Sequence, residues 1–306
     1  MTEKPKNVAA SVRQRLLNKA RAEQQDFQRL LLRYAVERLL YRLSQSPMRD
    51  RFILKGAMLF AVWSPQPFRS TGDLDLLGYG VNDPAGLQAI FGGICRQQVP
   101  DDGLVFDADS IQVETLREDE EYRGARIRID ARLGAAVIAV QIDIGYGDAV
   151  YPEPQRLDYP CLFEDFPSAR IRAYPPETVI AEKLEAMVRF GDLTSRLKDH
   201  YDIWVLSRTF PFSQAMLVTA ITATFRQRGT VLPSSLPVPL TPAFAVRPDK
   251  QAQWDAFLRR TAPVFLPPSF AEVLEDLRRF VEPVILASGD ETEVASGQWT
   301  PHIGWV

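Results

Sequence analysis

The chain has 306 residues and a formal net charge of −3, with 46% hydrophobic and 25% charged residues. This length suggests about two domains with a buried core, and the composition is ordinary for a globular protein. Only two histidines and two cysteines are present. That scarcity argues against a disulfide framework, a zinc site of thiolates or imidazoles, and a Ser-His-Asp triad. We therefore expect carboxylates to serve as any general base or metal ligand.

The N-terminal part of the chain is basic. Residues 1–51 contain twelve Lys and Arg against five Asp and Glu. Residues 11–45 are predicted to be helical, with a break at Ser46-Pro47. Two arginine pairs are spaced i,i+4 along this helix: Arg29 with Arg33, and Arg38 with Arg42. The helix either presents a surface that contacts phosphates or is a solvated helix whose apolar stripe packs on the protein body, and these interpretations are compatible.

A short motif with two carboxylates follows a predicted helical segment at 52–63. Asp73 and Asp75 are separated by one apolar residue, so on a strand they share a face, roughly 6.6–6.8 Å apart. Paired carboxylates repel each other unless a cation neutralises them, and Mg²⁺ prefers carboxylate oxygens together with substrate phosphates. The alternative is a turn in which Asp73 caps a backbone group and Asp75 is solvated. The two residues alone leave both interpretations open.

The next section of the chain has the pattern of β-strands. Residues 126–133 alternate between apolar and charged side chains, and 137–144 are predicted to pair with them across a turn containing Gly134. Asp143 points away from its apolar neighbours on the second strand. A carboxylate there is costly unless it is hydrogen-bonded or bound to a metal. Asp143 is therefore a candidate third carboxylate beside the Asp-x-Asp motif, and the alternative is an exposed strand face.

From Pro175 onward the pattern is almost entirely helical. Lys183 falls within the apolar stripe of the first of these helices, where a lysine either snorkels to the edge or meets an anion. In the next helix Arg196 and Asp199 are three residues apart on an apolar side. They either form a local ion pair or contact a nucleotide or Lys183.

Taken together, these residues resemble the AbiEii/AbiGii family of nucleotidyltransferase toxins, within the polymerase β-like nucleotidyltransferase superfamily. The resemblance covers about residues 50–205, and several motifs in the same order are far more specific than one alone. The matching segments are Leu54-Lys55-Gly56-Ala57, Arg69-Ser70-Thr71-Gly72-Asp73-Leu74-Asp75, Ile142-Asp143-Ile144, Glu177-Thr178-Val179-Ile180-Ala181-Glu182-Lys183-Leu184-Glu185-Ala186 and Arg196-Leu197-Lys198-Asp199-His200-Tyr201-Asp202. The resemblance implies an α+β fold, with a mixed nucleotidyltransferase sheet and flanking helices followed by a C-terminal helical domain.

The resemblance also implies roles for individual residues. Transfer of a nucleoside monophosphate from an NTP would depend on Mg²⁺ or Mn²⁺ held by Asp73, Asp75 and Asp143, with Asp143 also the candidate acceptor of a hydroxyl proton. Lys183 and Asp199 would complete the catalytic set. The implied nucleotide-binding residues are Lys55, Gly56, Ala57, Arg69, Thr71, Lys183 and Arg196. The family has Gly or Ser where this chain has Ala57, so a hydroxyl contact with phosphate is absent while the backbone N–H remains.

The expected function is that of a toxin in a toxin–antitoxin or abortive-infection system. Its acceptor would be RNA, in particular a tRNA 3′ end, or protein, and a cognate antitoxin would be a partner. Two alternatives are a non-catalytic regulatory protein that binds nucleotides, suggested by Ala57, and a nucleotidyltransferase acting on small molecules. The sequence shows no membrane span or secretion signal, so we expect a cytoplasmic protein without membrane contact.

The expected organisation has four parts. Residues 1–48 form a basic helical segment packing on the core, and 49–170 form the nucleotidyltransferase domain. Residues 171–287 form a helical domain, and 288–306 are expected to be a loose tail.

Overall fold

A seven-stranded mixed sheet is the centre of the N-terminal part of the molecule. The computed structural model describes residues 7–64, 72–118, 122–289 and 296–306. In chain order the strands are β1 (Phe52–Lys55), β2 (Leu74–Gly78), β3 (Leu104–Glu118), β4 (Tyr122–Leu133), β5 (Ala136–Tyr146), β6 (Gln155–Tyr159) and β7 (Ala169–Ala173). Across the sheet they run β3-β4-β5-β2-β1-β7-β6. Because β1 is antiparallel to β2 but parallel to β7, and β2 is parallel to β5, the predicted mixed sheet is confirmed.

The chain divides into two units. The first contains the described residues up to 147 together with 156–173, and the second contains 148–155 and the described residues from 174 onward. Helices of the first unit are α1 (Val8–Ala22), α2 (Phe27–Gln45), α3 (Leu59–Trp63) and α4 (Pro84–Cys95). Within this unit α2 packs against β5 and β7, and α4 packs against β3.

The second unit is mainly helical and has one small sheet. Its helices are α5 (Pro176–Phe190), α6 (Leu197–Thr209), α7 (Gln214–Gln227), α8 (Pro242–Ala245), α9 (Pro248–Thr261) and α10 (Phe270–Gly289). The sheet consists of β8 (Phe212–Ser213), β9 (Gln298–Thr300) and β10 (Gly304–Trp305). Among the helices of the described residues, none combines the length and the apolar composition needed to cross a membrane.

Three local predictions are wrong. The predicted helical segment at 52–63 begins as strand β1, since a short apolar run buried on both faces fits a strand as well as a helix. The predicted helix at 11–45 is two helices, because the side chain of Asp26 accepts from the N–H of Arg29 and starts α2. The part of the tail at 296–306 forms β9 and β10, where Trp299 packs on Phe280 with ring centroids 4.8 Å apart.

The hairpin of β4 and β5 sets the register of the functional part of the sheet. Its loop has two residues, with Gly134 in the left-handed region at φ +60°, the conformation that two-residue hairpins require. Counting outward from the pair Leu133 and Ala136, the ladder places Arg126 opposite Asp143. One face of this hairpin is apolar and buried, and the other carries the charged side chains.

Two arginines of the basic helix, Arg38 and Arg42, are buried. Arg42 donates to both carboxylate oxygens of Asp102, at 2.6 and 3.0 Å, and Arg38 donates its Nε–H to the same carboxylate at 3.1 Å. Arg38 has no exposed surface. Of the two interpretations of this helix, a phosphate-contacting surface therefore does not apply to Arg38 and Arg42, because a buried guanidinium paired with a carboxylate does not reach a ligand in solvent.

A glutamate in the same helix is buried as well. Glu37 accepts a hydrogen bond from the N–H of Leu162 at 2.7 Å and lies 3.8 Å from Arg38. Burial raises the pKa of Glu37 to about 7, and the Leu162 hydrogen bond and the charges of Arg38 and Arg33 offset this only in part. In the folded protein Glu37 therefore keeps its proton at pH values where the unfolded chain has lost it.

We predict that Glu37 makes the protein less stable as the pH rises. Its folded pKa of about 7 exceeds the ordinary value of 4.5, so the stabilisation is complete below pH 4.5 and is lost as the pH rises through 7. The loss is on the order of 3 kcal/mol in the free energy of unfolding. Glu37→Gln keeps an acceptor for Leu162 and removes this dependence. Urea unfolding of the wild type and Glu37→Gln at pH 4.5 and pH 8 measures this pH dependence. If the free energy of unfolding falls equally in both proteins between the two pH values, the prediction is contradicted.

Candidate active site

Four charged side chains form a row across four neighbouring strands. The pairing of β4 with β5 sets Arg126 opposite Asp143, and the pairing of β5 with β2 sets Asp143 opposite Asp75. The pairing of β2 with β1 sets Asp75 opposite Lys55. Residues in register share a face, and neighbouring strands lie about 4.7–4.9 Å apart. The two carboxylates are therefore adjacent in the row, with a basic residue at each end.

Asp73 extends this arrangement immediately before β2. It is exposed and precedes Asp75 by two residues, while Leu74 and Leu76 are buried on the other face. The side-chain amide of Gln141, two residues before Asp143, lies 3.4 Å from Oδ1 of Asp73. Asp73, Asp75 and Asp143 thus belong to one face of the sheet, as the sequence predicts. The turn interpretation of Asp75 is wrong, because Asp75 lies within β2.

Gly56 brings the backbone directly against the carboxylate of Asp75. Its φ is +72°, in the left-handed region, and a Cβ at this position would lie 2.1 Å from Oδ2 of Asp75. Real Cβ atoms essentially never come so close to another atom, so only glycine fits here. The resemblance explains Gly56 by the approach of a triphosphate. In the structure the missing side chain also makes room for Asp75.

Arg126 engages both oxygens of Asp143. Its Nε–H donates to Oδ1 and an Nη2–H donates to Oδ2, each at 2.8 Å. This bidentate geometry is the strong form of an ion pair between arginine and a carboxylate. The hydrogen bond to Asp143 raises the pKa of Arg126 further above its ordinary value, so the guanidinium is charged at every physiological pH.

The donor chemistry of this face suits a hard divalent cation only in part. Asp73 and Asp75 offer carboxylate oxygens on one side of the strand, which Mg²⁺ combines with phosphate and water oxygens. Asp143 differs because both of its oxygens are bound by Arg126. Within the described ranges, no group of three or more His, Cys, Asp or Glu is arranged to hold a metal ion. Metal binding by Asp73, Asp75 and Asp143 stays a prediction.

The other residues of the first two matching segments that are predicted to bind nucleotide have different surroundings. Lys55 ends β1 and is half-buried. Ala57 is 8% exposed in the short 3-10 helix Gly56–Met58, so the side chain at this position is turned into the protein. Arg69 and Thr71 lie outside the described residues, and their roles stay predictions.

The second unit gathers the other predicted residues into a separate ion cluster. The ammonium of Lys183 on α5 lies 2.7 Å from Oδ1 of Asp199 and 2.7 Å from Oδ2 of Asp202, both on α6. The side chains of Asp199 and Asp202 are 1% and 0% exposed, and that of Lys183 is 13% exposed. Of the two alternatives for Lys183, the contact with an anion is the correct one, and the anion belongs to the protein.

Arg196 completes this cluster. Its Nε lies 3.0 Å from Oδ2 of Asp199. Burial alone would raise the pKa of Asp199, but the charges of Lys183 and Arg196 outweigh it and lower the pKa to about 2. Asp199 therefore takes part both in the local ion pair with Arg196 and in the contact with Lys183. Contacts of Lys183 and Arg196 with a nucleotide stay predictions.

Two members of these arrangements were missed from the sequence. Arg126 could have been found by counting outward from the Gly134 turn, since that count places it opposite Asp143. Asp202 lies three residues after Asp199 on α6, where side chains share a face. Its burial, however, depends on the packing of two helices, for which the sequence carries no direct signal.

We predict that Gly56→Ala destabilises the protein more than Gly134→Ala. Both glycines have positive φ, +72° and +60°, and alanine in that region costs about 1–2 kcal/mol. Only at Gly56 does the new Cβ meet another group, the carboxylate of Asp75, while the space around Gly134 is open. Urea unfolding of the two variants isolates the cost of displacing Asp75. Equal losses in the two variants show that Gly56 does not hold Asp75 in place.

We predict that Lys183→Met lowers the free energy of unfolding by about 3–5 kcal/mol, because removing one partner leaves buried charges uncompensated. Lys198→Met is the matched control, since Lys198 is exposed on the same α6 that carries both aspartates, and surface changes usually stay within about 0.5 kcal/mol. The double variant Lys183→Met with Asp202→Asn should recover part of the loss. A loss for Lys183→Met no larger than that of the control contradicts a structural role for this lysine.

One of the comparisons with known proteins identifies a family. The family model described as "Nucleotidyl transferase AbiEii toxin, Type IV TA system" matches residues 38–276. JHP933 from Helicobacter pylori is 13% identical with a TM-score of 0.48, over 86% of this chain and 92% of that one. A candidate nucleotidyltransferase from H. pylori is 14% identical with a TM-score of 0.50, over 88% of this chain and 99% of that one, a likeness in fold. No curated protein sequence matches. Because the family match spans more than half of its residues, the chain belongs to the AbiEii family of nucleotidyltransferase toxins of type IV toxin–antitoxin systems.

Proposed function

We propose that this chain transfers a nucleoside monophosphate from an NTP to an RNA acceptor, using Mg²⁺ or Mn²⁺ bound by Asp73 and Asp75. One observation carries the proposal. Asp73 and Asp75 lie two residues apart on one face of the sheet, with the backbone of Gly56 against Asp75. Adjacent carboxylates are costly for a fold, and a cation that also binds substrate phosphates offsets that cost.

The chemistry of the proposed step needs no histidine. The hydroxyl oxygen of the acceptor forms a bond to the α-phosphorus, and the bond from that phosphorus to the bridging oxygen breaks. Pyrophosphate leaves with the electron pair of the broken bond. Positioning and electrostatic stabilisation supply most of the catalysis of phosphoryl transfer. A bound divalent cation supplies Lewis-acid polarisation of the phosphate oxygens.

The residues of this chain have separate roles in that step. Asp73 and Asp75 hold the cation. Gly56 lets the backbone approach the carboxylate of Asp75. Asp143 is the candidate acceptor of the hydroxyl proton, because a carboxylate offers about four lone-pair sites and Arg126 uses two of them.

The surface of the first unit supports RNA as the acceptor. Arg13 and Arg21 on α1 and Arg29 on α2 are exposed, and arginines on a helix surface contact phosphates well. Arg15 and Lys19 are less suited to this role, because they already pair with Asp165 and Glu23. The exposed arginines of the basic segment would suit an RNA acceptor, and the tRNA 3′ end is our first acceptor to test. Membership of the family implies an antitoxin partner.

We predict that Asp73→Asn and Asp75→Asn abolish transfer of radiolabel from an NTP to cellular RNA. Each change removes one charge with little change in shape. The loss should exceed the roughly 10–100-fold that changes to groups surrounding a metal site usually cost. Asp130→Asn is the matched control, because Asp130 lies on β4 between Arg126 and Arg132 on the same face but outside the charged row. Each variant is incubated in lysate with each of the four labelled NTPs.

The location of the label decides among the alternatives. Label in RNA that depends on Asp73 and Asp75 supports the proposal. Label in protein or in a small-molecule fraction contradicts RNA as the acceptor but still supports nucleotidyltransferase activity. Binding of NTP with Mg²⁺ in calorimetry, with the NTP intact after long incubation, supports instead a non-catalytic protein, the alternative that Ala57 suggests.

A further inference from the structure

Asp143 already has a cationic partner within the protein, the guanidinium of Arg126. Arg126 and Asp143 form two hydrogen bonds of 2.8 Å, and their side chains are only 30% and 23% exposed. An ion pair that is bidentate and partly shielded from water is stronger than an open surface pair. Neither residue is held by another ion pair among the described residues. The guanidinium is therefore a fixed positive charge at Asp143.

The position of this charge matters because of the neighbouring strand. Asp143 stands opposite Asp75 on β2, and two carboxylates directly opposite each other repel. Arg126 offsets that repulsion from the β4 side. A divalent cation bridging Asp75 and Asp143 would have to share the carboxylate of Asp143 with a guanidinium and would be repelled by it.

We propose that Arg126 takes the place of a metal ion at Asp143. The chain then binds one divalent cation, at Asp73 and Asp75, and Asp143 becomes a metal ligand only when Arg126 is removed or withdraws. This inference rests on the proposed function, because it takes Asp73 and Asp75 as the cation site. It departs from the three-carboxylate metal site that the resemblance implies, and it assigns a role to Arg126, a residue outside that set of motifs.

The charge of Arg126 has a consequence for catalysis. A guanidinium remains charged whatever the metal concentration, so part of the positive charge at this face belongs permanently to the protein. Transfer should then depend on the metal concentration as a single-site saturation curve. Two cooperating metal sites would give a sigmoidal curve instead.

Binding of Mn²⁺ alone tests the proposal without nucleotide or acceptor. Free Mn²⁺ is followed by electron paramagnetic resonance during titration of the wild type, Arg126→Met and Arg126→Lys. We expect one bound Mn²⁺ in the wild type. The Arg126→Met variant should bind a second Mn²⁺ or bind Mn²⁺ at least tenfold more tightly. The Arg126→Lys variant should show a smaller increase in Mn²⁺ binding, because lysine keeps the positive charge.

A matched control separates the specific contact from general electrostatics. Arg128 is two residues further along β4, on the same face, and among the described residues it forms one ion pair, a 3.5 Å contact with the exposed Glu114. Arg128→Met removes the same charge and should leave Mn²⁺ binding near that of the wild type. An equal increase in Mn²⁺ binding in the Arg126→Met and Arg128→Met variants overturns the proposal.

Asp143→Asn supplies the decisive comparison. In the wild-type background it should leave Mn²⁺ binding unchanged, while Asp75→Asn should weaken it. Combined with Arg126→Met, it should remove the gain that Arg126→Met alone produces. Two sites in the wild type, loss of binding from Asp143→Asn alone, or no binding in any of these proteins overturns the proposal. Because no NTP is used, a failure to find transfer activity does not affect these outcomes.

Discussion

The row of charges across β4, β5, β2 and β1 is the constraint on which the rest of the site depends. Two carboxylates on neighbouring strands repel, and the row compensates by placing Arg126 beside Asp143 and Lys55 beside Asp75. The four residues come from four separate strands, so the row exists only when the whole sheet has its correct order. A slip of one residue in any of these pairings would turn a charged side chain to the apolar face. Register and function are thus coupled in this sheet.

The buried face of the sheet enforces that register. Leu74 and Leu76 alternate with Asp75, and Ile142 and Ile144 alternate with Asp143, and all four apolar side chains are buried. Burying one such side chain stabilises a fold by about 1.5–3 kcal/mol, so hydrophobic packing readily holds two repelling carboxylates side by side. Gly56 adds a local constraint, because the backbone fits against Asp75 only without a Cβ. The apolar face thus supplies the stabilising free energy, and Gly56 allows the backbone to lie close to Asp75.

The sequence predicts the parts of this site that depend on local pattern. The Asp-x-Asp strand, the alternation of 126–133 and the outward direction of Asp143 all follow from a period of two, and the Gly134 turn sets the partner of Asp143. The sequence does not predict β1, because Phe52, Ile53 and Leu54 are all buried and leave no alternation to detect. The sequence does not predict the burial of Arg42 either, since its partner Asp102 is 60 residues away along the chain. Such pairings depend on the tertiary fold rather than on local pattern.

The two ion clusters differ in a way that bears on what each can do. Lys183 is held by two carboxylates with almost no exposed surface, so its charge is already compensated and its contacts tie α5 to α6. Asp73 is exposed and Asp75 is half-buried, so a ligand from solvent can reach them. A buried, compensated ion pair binds a new anion only by giving up one of its own. If Lys183 contacts a phosphate, Asp199 or Asp202 must therefore change its partner, whereas a cation at Asp73 and Asp75 leaves the pair of Arg126 and Asp143 intact.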